Sequence, residues 1–153
     1  MRSTKPVLLV EDDTIDAMTV RRAFKDLNLT NSLAHRINGE EALAYLEDPA
    51  EERPCVILLD LNMPRMNGTE FLKVIKEKDH LKSIPVIVLT TSNEERDVVE
   101  SFRLSVAGYI VKPVDYQKFV EAIRTMDLYW TVSEMPGYEE GTPHVENATS
   151  VAH

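Results

Sequence analysis

Val7-Leu8-Leu9-Val10, followed at once by Glu11-Asp12-Asp13-Thr14, is the stretch on which the fold turns. A run of consecutive β-prone apolar residues has no polar face, so it must be covered on both sides; this is the pattern of a parallel strand between two layers of helices. The same punctuation returns three times. Val56-Ile57-Leu58-Leu59 leads into Asp60, Pro85-Val86-Ile87-Val88-Leu89 into Thr90-Thr91-Ser92, and Gly108-Tyr109-Ile110-Val111 into Lys112-Pro113. A further strand is expected over 32–37. Helical spacing fills the gaps: Ile15, Met18, Thr19, Arg22, Ala23 and Phe24 up to Leu27; Ala42, Leu43 and Leu46 within 39–46; Phe71, Leu72 and Ile75; Val98, Val99 and Phe102 within 94–104; and Phe119, Val120, Ile123, Met126, Tyr129 and Trp130 on a helix from Tyr116 to about residue 133. Strands that alternate with helices predict an α/β sandwich with right-handed crossovers.

Composition narrows the function classes. The 153 residues carry 17 Lys+Arg against 26 Asp+Glu, a net charge of −9. Nucleic-acid and anionic-lipid binders need a basic surface, so neither is an expected partner. No apolar run approaches the roughly 20 residues of a membrane helix, and Val7–Val10 is short of the ~7–15 apolar residues of a signal peptide. A cytoplasmic location is therefore expected. The single cysteine, Cys55, forbids an intramolecular disulfide and reads as a buried thiol, and the four histidines have no metal-ligand spacing. Residues 1–135 read as one domain. The Pro136-Gly137 pair ends the last helix, and 136–153 read as a tail, disordered alone or ordered in an assembly.

Ligands of an open parallel sheet sit beyond the carboxyl ends of its strands. Here those ends carry Glu11-Asp12-Asp13, Asp60, Thr90 and Lys112. Carboxylates gathered at one edge repel unless a cation joins them, and a few oxygen ligands with room for water and phosphate suit Mg²⁺, with Mn²⁺ or Ca²⁺ as substitutes. On this chemistry Glu11 and Asp12 hold the metal together with Asp60, which is the nucleophile of an acyl-phosphate. Lys112 meets the phosphoryl oxygens as a point charge, and the Thr90 hydroxyl donates to them. Each residue also has a plainer use. Asp13 reads as a helix cap, with Thr14 competing; Glu11 and Asp12 could cap as well; Asp60 with Asn62-Met63-Pro64 could be turn chemistry; Lys112 could be a solvated loop residue and Thr90 a strand end.

Val10-Glu11-Asp12, Leu59-Asp60-Leu61-Asn62-Met63-Pro64 with Asn67-Gly68, Leu89-Thr90, and Tyr109-Ile110-Val111-Lys112-Pro113, in that order, resemble the receiver domain of two-component response regulators over residues 5–126. The resemblance implies a flavodoxin-like fold, a five-stranded parallel sheet in the order 2-1-3-4-5 between five helices. It also implies Asp60 as phosphoacceptor, Glu11 and Asp12 as the acidic pair, the Asn62 backbone carbonyl as a further metal ligand, Thr90 and Lys112 as phosphoryl contacts, a cis Lys112-Pro113 peptide, and Tyr109 as an aromatic switch coupled to Thr90. Thr91 stands where the family usually has a smaller residue, and Asn62 and Ser92 occupy its two variable positions.

The extended last helix with Tyr129-Trp130, the Asn38-Gly39-Glu40-Glu41-Ala42 spacing and the Thr90-Thr91-Ser92 run resemble the small response regulators paired with phytochrome-type histidine kinases. That implies a sensor kinase as phosphoryl donor and no output domain in the roughly 20 residues after the last helix, since domains rarely fall below about 50. An aromatic patch marks an interface. A homodimer is expected through the fourth helix, fifth strand and fifth helix, with Tyr109, Phe119, Tyr129 and Trp130 near it. The implied role is phosphorelay signalling rather than enzymatic turnover. A Mg²⁺-dependent aspartyl-phosphate phosphatase would want a second Asp two residues after Asp60, where Asn62 stands. A flavin or nucleotide site would want a Gly-rich loop where Glu11-Asp12-Asp13-Thr14 stand. A receiver serving only as a docking module would be expected to lack one of Asp60, Lys112 or the acidic pair.

Overall fold

The structure, a computed structural model, describes residues 5–61, 63, 65–90, 93–101, 103–111 and 116–133, apart from the side chains of 93, 101, 111 and 126–133. Strands and helices alternate as β1 (Val7–Val10), α1 (Thr14–Asp26), β2 (Leu33–Arg36), α2 (Gly39–Glu47), β3 (Val56–Asp60), α3 (Gly68–Glu77), β4 (Val86–Thr90), α4 (Asn93–Ser101), β5 (Gly108–Val111) and α5 (Tyr116–Ser133). The strands form one parallel sheet in the order β2-β1-β3-β4-β5. Every residue of β1, β3 and β4 is buried, as continuous apolar runs require. Strand alternation divides the interior into two layers. Val7, Leu9, Val56, Leu58, Ile87, Leu89 and Ile110 face α1 and α5, whereas Leu8, Val10, Ile57, Leu59, Val88 and Tyr109 face α2, α3 and α4. The proposed tail, 136–153, lies outside the described residues.

Helix ends follow their polar residues. The Asp13 carboxylate accepts the Asp16 N–H at 3.0 Å and so caps α1; Thr14 is the first helical residue. Asn38 caps α2, accepting from Glu41 N–H at 2.9 Å, and Asn67 and Glu70 form a reciprocal capping box on α3. Helix α1 stops where Asn28 turns left-handed (φ 55°) and Leu29 N–H bonds the Phe24 carbonyl. The same geometry at Arg103 (φ 55°), with Leu104 N–H on the Val99 carbonyl, keeps Leu104 out of α4.

The apolar face expected of the first helix is corrected in part: Ala23 and Phe24 are buried as expected, whereas Ile15 and Met18 are not. Ile15 and Met18 are 73% and 62% exposed, and the buried residues are Ala17, Val20, Ala23 and Phe24. Two stripes at helical spacing overlap in this segment. Burying the one with two alanines brings α1 close to the sheet, and Arg22 turns outward to stack on the Tyr116 ring at 4.1 Å. The Tyr116 hydroxyl donates to Asp26 at 2.6 Å and fastens α5 to α1. Partial burial, and then that hydrogen bond, raises the Tyr116 phenol above its usual pKa. In α4, Val99 is buried whereas Val98 is largely exposed; Phe102 lies outside the described residues.

This face makes a direct prediction. Val20→Ala is expected to cost about 2 kcal/mol as an unfilled core position, and Met18→Ala to stay within roughly 0.5 kcal/mol. Urea midpoints at constant m-value check both.

Candidate functional site

Strand register assembles the site. Val10 pairs with Leu59, so Glu11 comes level with Asp60; Asp60 pairs with Leu89, so Thr90 follows one step on; and Thr90 pairs with Val111 at the end of β5. Glu11, Asp60 and Thr90 are all buried, while Asp12 is exposed. Carboxylate oxygens of Glu11, Asp12 and Asp60 lie within 4.8 Å of one another. Lys112, the Lys112-Pro113 peptide, Asn62, Thr91 and Ser92 lie outside the described residues.

Glu11 is held on three sides. Its N–H donates to the Arg36 carbonyl at 3.0 Å, its carboxylate accepts the Asp13 N–H at 3.2 Å, and its carbonyl lies 2.6 Å from His35 Nε2. The cap of α1 is thus Asp13, and Glu11 and Asp12 point their carboxylates into the cluster instead. On the other side, Leu61 N–H reaches the Leu89 carbonyl at 3.4 Å and Gly68 N–H the Leu61 carbonyl at 3.1 Å. The first turn of α3 thereby lies directly beneath Asp60. A Cβ on Gly68 would come within 2.4 Å of the Asp60 carbonyl oxygen and 2.6 Å of Leu61 Cα. The loop between them is fixed by two consecutive left-handed residues, Arg65 (φ 50°) and Met66 (φ 53°). The Met66 carbonyl accepts the Gly39 N–H at 3.1 Å, and Arg65 pairs with Glu40 at 3.0 Å.

Motif reading alone overlooks His35, which holds a backbone atom rather than the ligand, and the steric duty of Gly39 and Gly68. The repeated Asn-Gly pair, Asn38-Gly39 and Asn67-Gly68, is the signal that a cap is followed by a close backbone approach.

Tyr109 sits beside Val88 in the ladder and shares its sheet face. Thr90, two residues after Val88, points to that same face. Tyr109 is 2% exposed, and Phe119 is buried in the α1–α5 layer. Both were expected at a dimer interface, and both belong to the interior of this protomer. The side chains of Tyr129 and Trp130, on α5, lie outside the described residues.

A family model described as the response regulator receiver domain matches residues 7–124. The chain belongs to that family. Among individual relatives, this receiver is 35% identical over 127 residues to the probable methanogenesis regulatory protein FilR2 of Methanothrix harundinacea, covering 81% of this chain and 82% of the relative. It is 37% identical over 130 residues to the response regulator Rcp1 of Synechocystis sp., covering 82% and 88%. The crystal structure of the phosphorylated cyanobacterial phytochrome response regulator RcpA superposes with a TM-score of 0.75 at 34% identity, over 87% of this chain and 98% of that one. Rcp1 has also been solved in a Mn²⁺-bound form, with a TM-score of 0.73 at 34% identity over the same shares.

The donor set of this receiver fits a hard divalent cation. Three carboxylates, two of them buried, converge within one ligand shell, and oxygen-only coordination is what such an ion selects.

Two variants separate ligands from their supports. Asp12→Asn is expected to weaken Mn²⁺ binding, read by electron paramagnetic resonance, without lowering the melting temperature. His35→Phe removes the hold on the Glu11 carbonyl and should weaken the same binding ~10–100-fold, as loss of a ligand-orienting partner does. Unchanged Mn²⁺ affinity in both would refute this metal cluster.

Proposed function

We propose that this receiver takes a phosphoryl group from the phosphohistidine of a sensor kinase onto Asp60 and passes the signal by changing the surface built from α4, β5 and α5. The observation that carries the reading is the Glu11–Asp12–Asp60 cluster at the carboxyl edge of the sheet, next to the buried Thr90. A carboxylate oxygen of Asp60 attacks phosphorus, the P–N bond to the kinase imidazole breaks, the imidazole takes up a proton, and an acyl phosphate remains. Glu11, Asp12, Asp60 and the Asn62 carbonyl would hold Mg²⁺, which supplies positive charge that offsets the repulsion between carboxylates and an incoming anion. Thr90 donates a hydrogen bond to a phosphoryl oxygen, and Lys112 contributes its ammonium as a point charge. The protein is a signalling partner, not a catalyst acting on an outside substrate, although it assists its own phosphorylation.

Thr90 and Tyr109 lie on one sheet face, a single pleat repeat apart on neighbouring strands. A move of Thr90 toward the phosphoryl group opens space that Tyr109 fills, so phosphorylation biases an existing two-state equilibrium. Similarity to RcpA supports a phytochrome-type kinase as the partner. With Tyr109 and Phe119 buried, homodimerisation through α4, β5 and α5 rests on exposed Val98 and on Tyr129 and Trp130. Among the described residues no helix is long and apolar enough to cross a membrane, which accords with a cytoplasmic site of action.

Incubation with a small acyl-phosphate donor, followed by intact mass, tests the acceptor. The chain should gain one phosphoryl group only with a divalent cation present, and Asp60→Asn should gain none. Equal modification of that variant would remove Asp60 as nucleophile. Light scattering tests the dimer: Trp130→Ala should lower the mass toward the protomer, and an unchanged dimer mass would place the interface elsewhere.

A further inference from the structure

Tyr109 is among the largest fully buried side chains, yet its ring is not covered by apolar groups alone. The guanidinium of Arg96, on α4, lies over it with its central carbon 4.6 Å from the ring centroid. Arg96 is itself tethered: its Nε meets Glu100 Oε1 at 3.1 Å, one helical turn on, and its side chain is 28% exposed. Val99, three residues after Arg96, seats α4 in the same apolar layer that holds Tyr109. A planar cation stacked on a buried phenol, with its outer edge ion-paired and wetted, forms a lid. It is attracted by the face of the ring, covers it with its methylene stem, and must be displaced before the ring can leave.

We propose that Arg96 is a positioning residue that holds Tyr109 in its buried rotamer, with Glu100 steering the guanidinium, and thereby biases this receiver toward accepting a phosphoryl group on Asp60. The proposal rests on the switch reading of Tyr109 given above and adds to it the group that sets the resting balance of the switch. It also explains why α4 carries a cation on an otherwise acidic helix (Glu94, Glu95, Asp97, Glu100) at a position that faces the ring. A short side chain there would leave the phenol face to water.

The test uses the full chain labelled with 3-fluorotyrosine, with Tyr109→Phe assigning the Tyr109 fluorine resonance. Broadening of that resonance by a neutral soluble nitroxide reports its exposure, independent of phosphorylation. In the parent chain the resonance should be protected. Arg96→Gln, shorter and uncharged, should raise its broadening and lower the phosphorylation rate with a small acyl-phosphate donor by about fivefold, the scale of one cation–π contact. Arg96→Lys, which keeps a cation, should recover most of both. Glu100→Gln should lie between parent and Arg96→Gln. In a Tyr109→Leu background Arg96→Gln should have no further effect on the rate, which a merely structural role for Arg96 would not predict. A Tyr109 resonance equally protected in Arg96→Gln and parent would overturn the lid. Exposure that rises while the phosphorylation rate stays constant would overturn the proposed bias. A parent chain that takes no phosphoryl group on Asp60 would instead refute the acceptor reading, and the fluorine measurement would still decide whether Arg96 holds the ring.

Discussion

Like-charge crowding at one edge of the sheet is the constraint on which the molecule depends. Glu11 and Asp60 are both buried and, with Asp12, converge within 4.8 Å. Two unit charges about 4–5 Å apart repel by roughly 3–4 kcal/mol at an effective dielectric of about 20. A fold that keeps them together must hold their backbones rigidly, and this one does so through parallel register. Glu11 is hydrogen-bonded to β2 through Arg36, and Leu61 to β4 through Leu89. The supports come from the same elements: His35 on the Glu11 carbonyl, and the first turn of α3 pressed under Asp60 at Gly68. The resulting pocket is suited to a divalent cation.

Much of this organisation could be read from residues alone, and the reasons differ from element to element. Strands buried on both faces carry no polar interruption, so Val7–Val10, Val56–Asp60 and Val86–Thr90 declared themselves by composition, and the residues at their carboxyl ends followed by simple succession. The face of α1 did not. Ala23 and Phe24 of the expected stripe are buried, but Ile15 and Met18 outweigh Ala17 in any reading by hydrophobic size, and nothing local records that Ala17 and Val20 will face the sheet in their place. Arg103 ends α4 with a left-handed residue at a position where glycine is usual, so the helix was expected to run on to Leu104. His35 and Gly68 were hidden for another reason. Each acts on a backbone atom of a residue distant in sequence or across a turn, and only the folded register creates that contact.

Helix α4 is fastened differently from the α1–α5 pair, and this bears on where a signal can leave. On one side α1 and α5 are joined by the Tyr116–Asp26 hydrogen bond and the Arg22 stack, in addition to their apolar contacts. On the other, α4 is nine residues long, shorter than the ~12–15 residues an isolated helix needs even to be marginal. Among its described side chains only Val99 is buried. Such a helix owes its place to a few contacts, so the loss or rearrangement of one of them moves it. Thr90 and Tyr109 face that same layer. On the reading proposed above, a charge placed on Asp60 would act through the strand ends on α4, a helix with one buried side chain among those described.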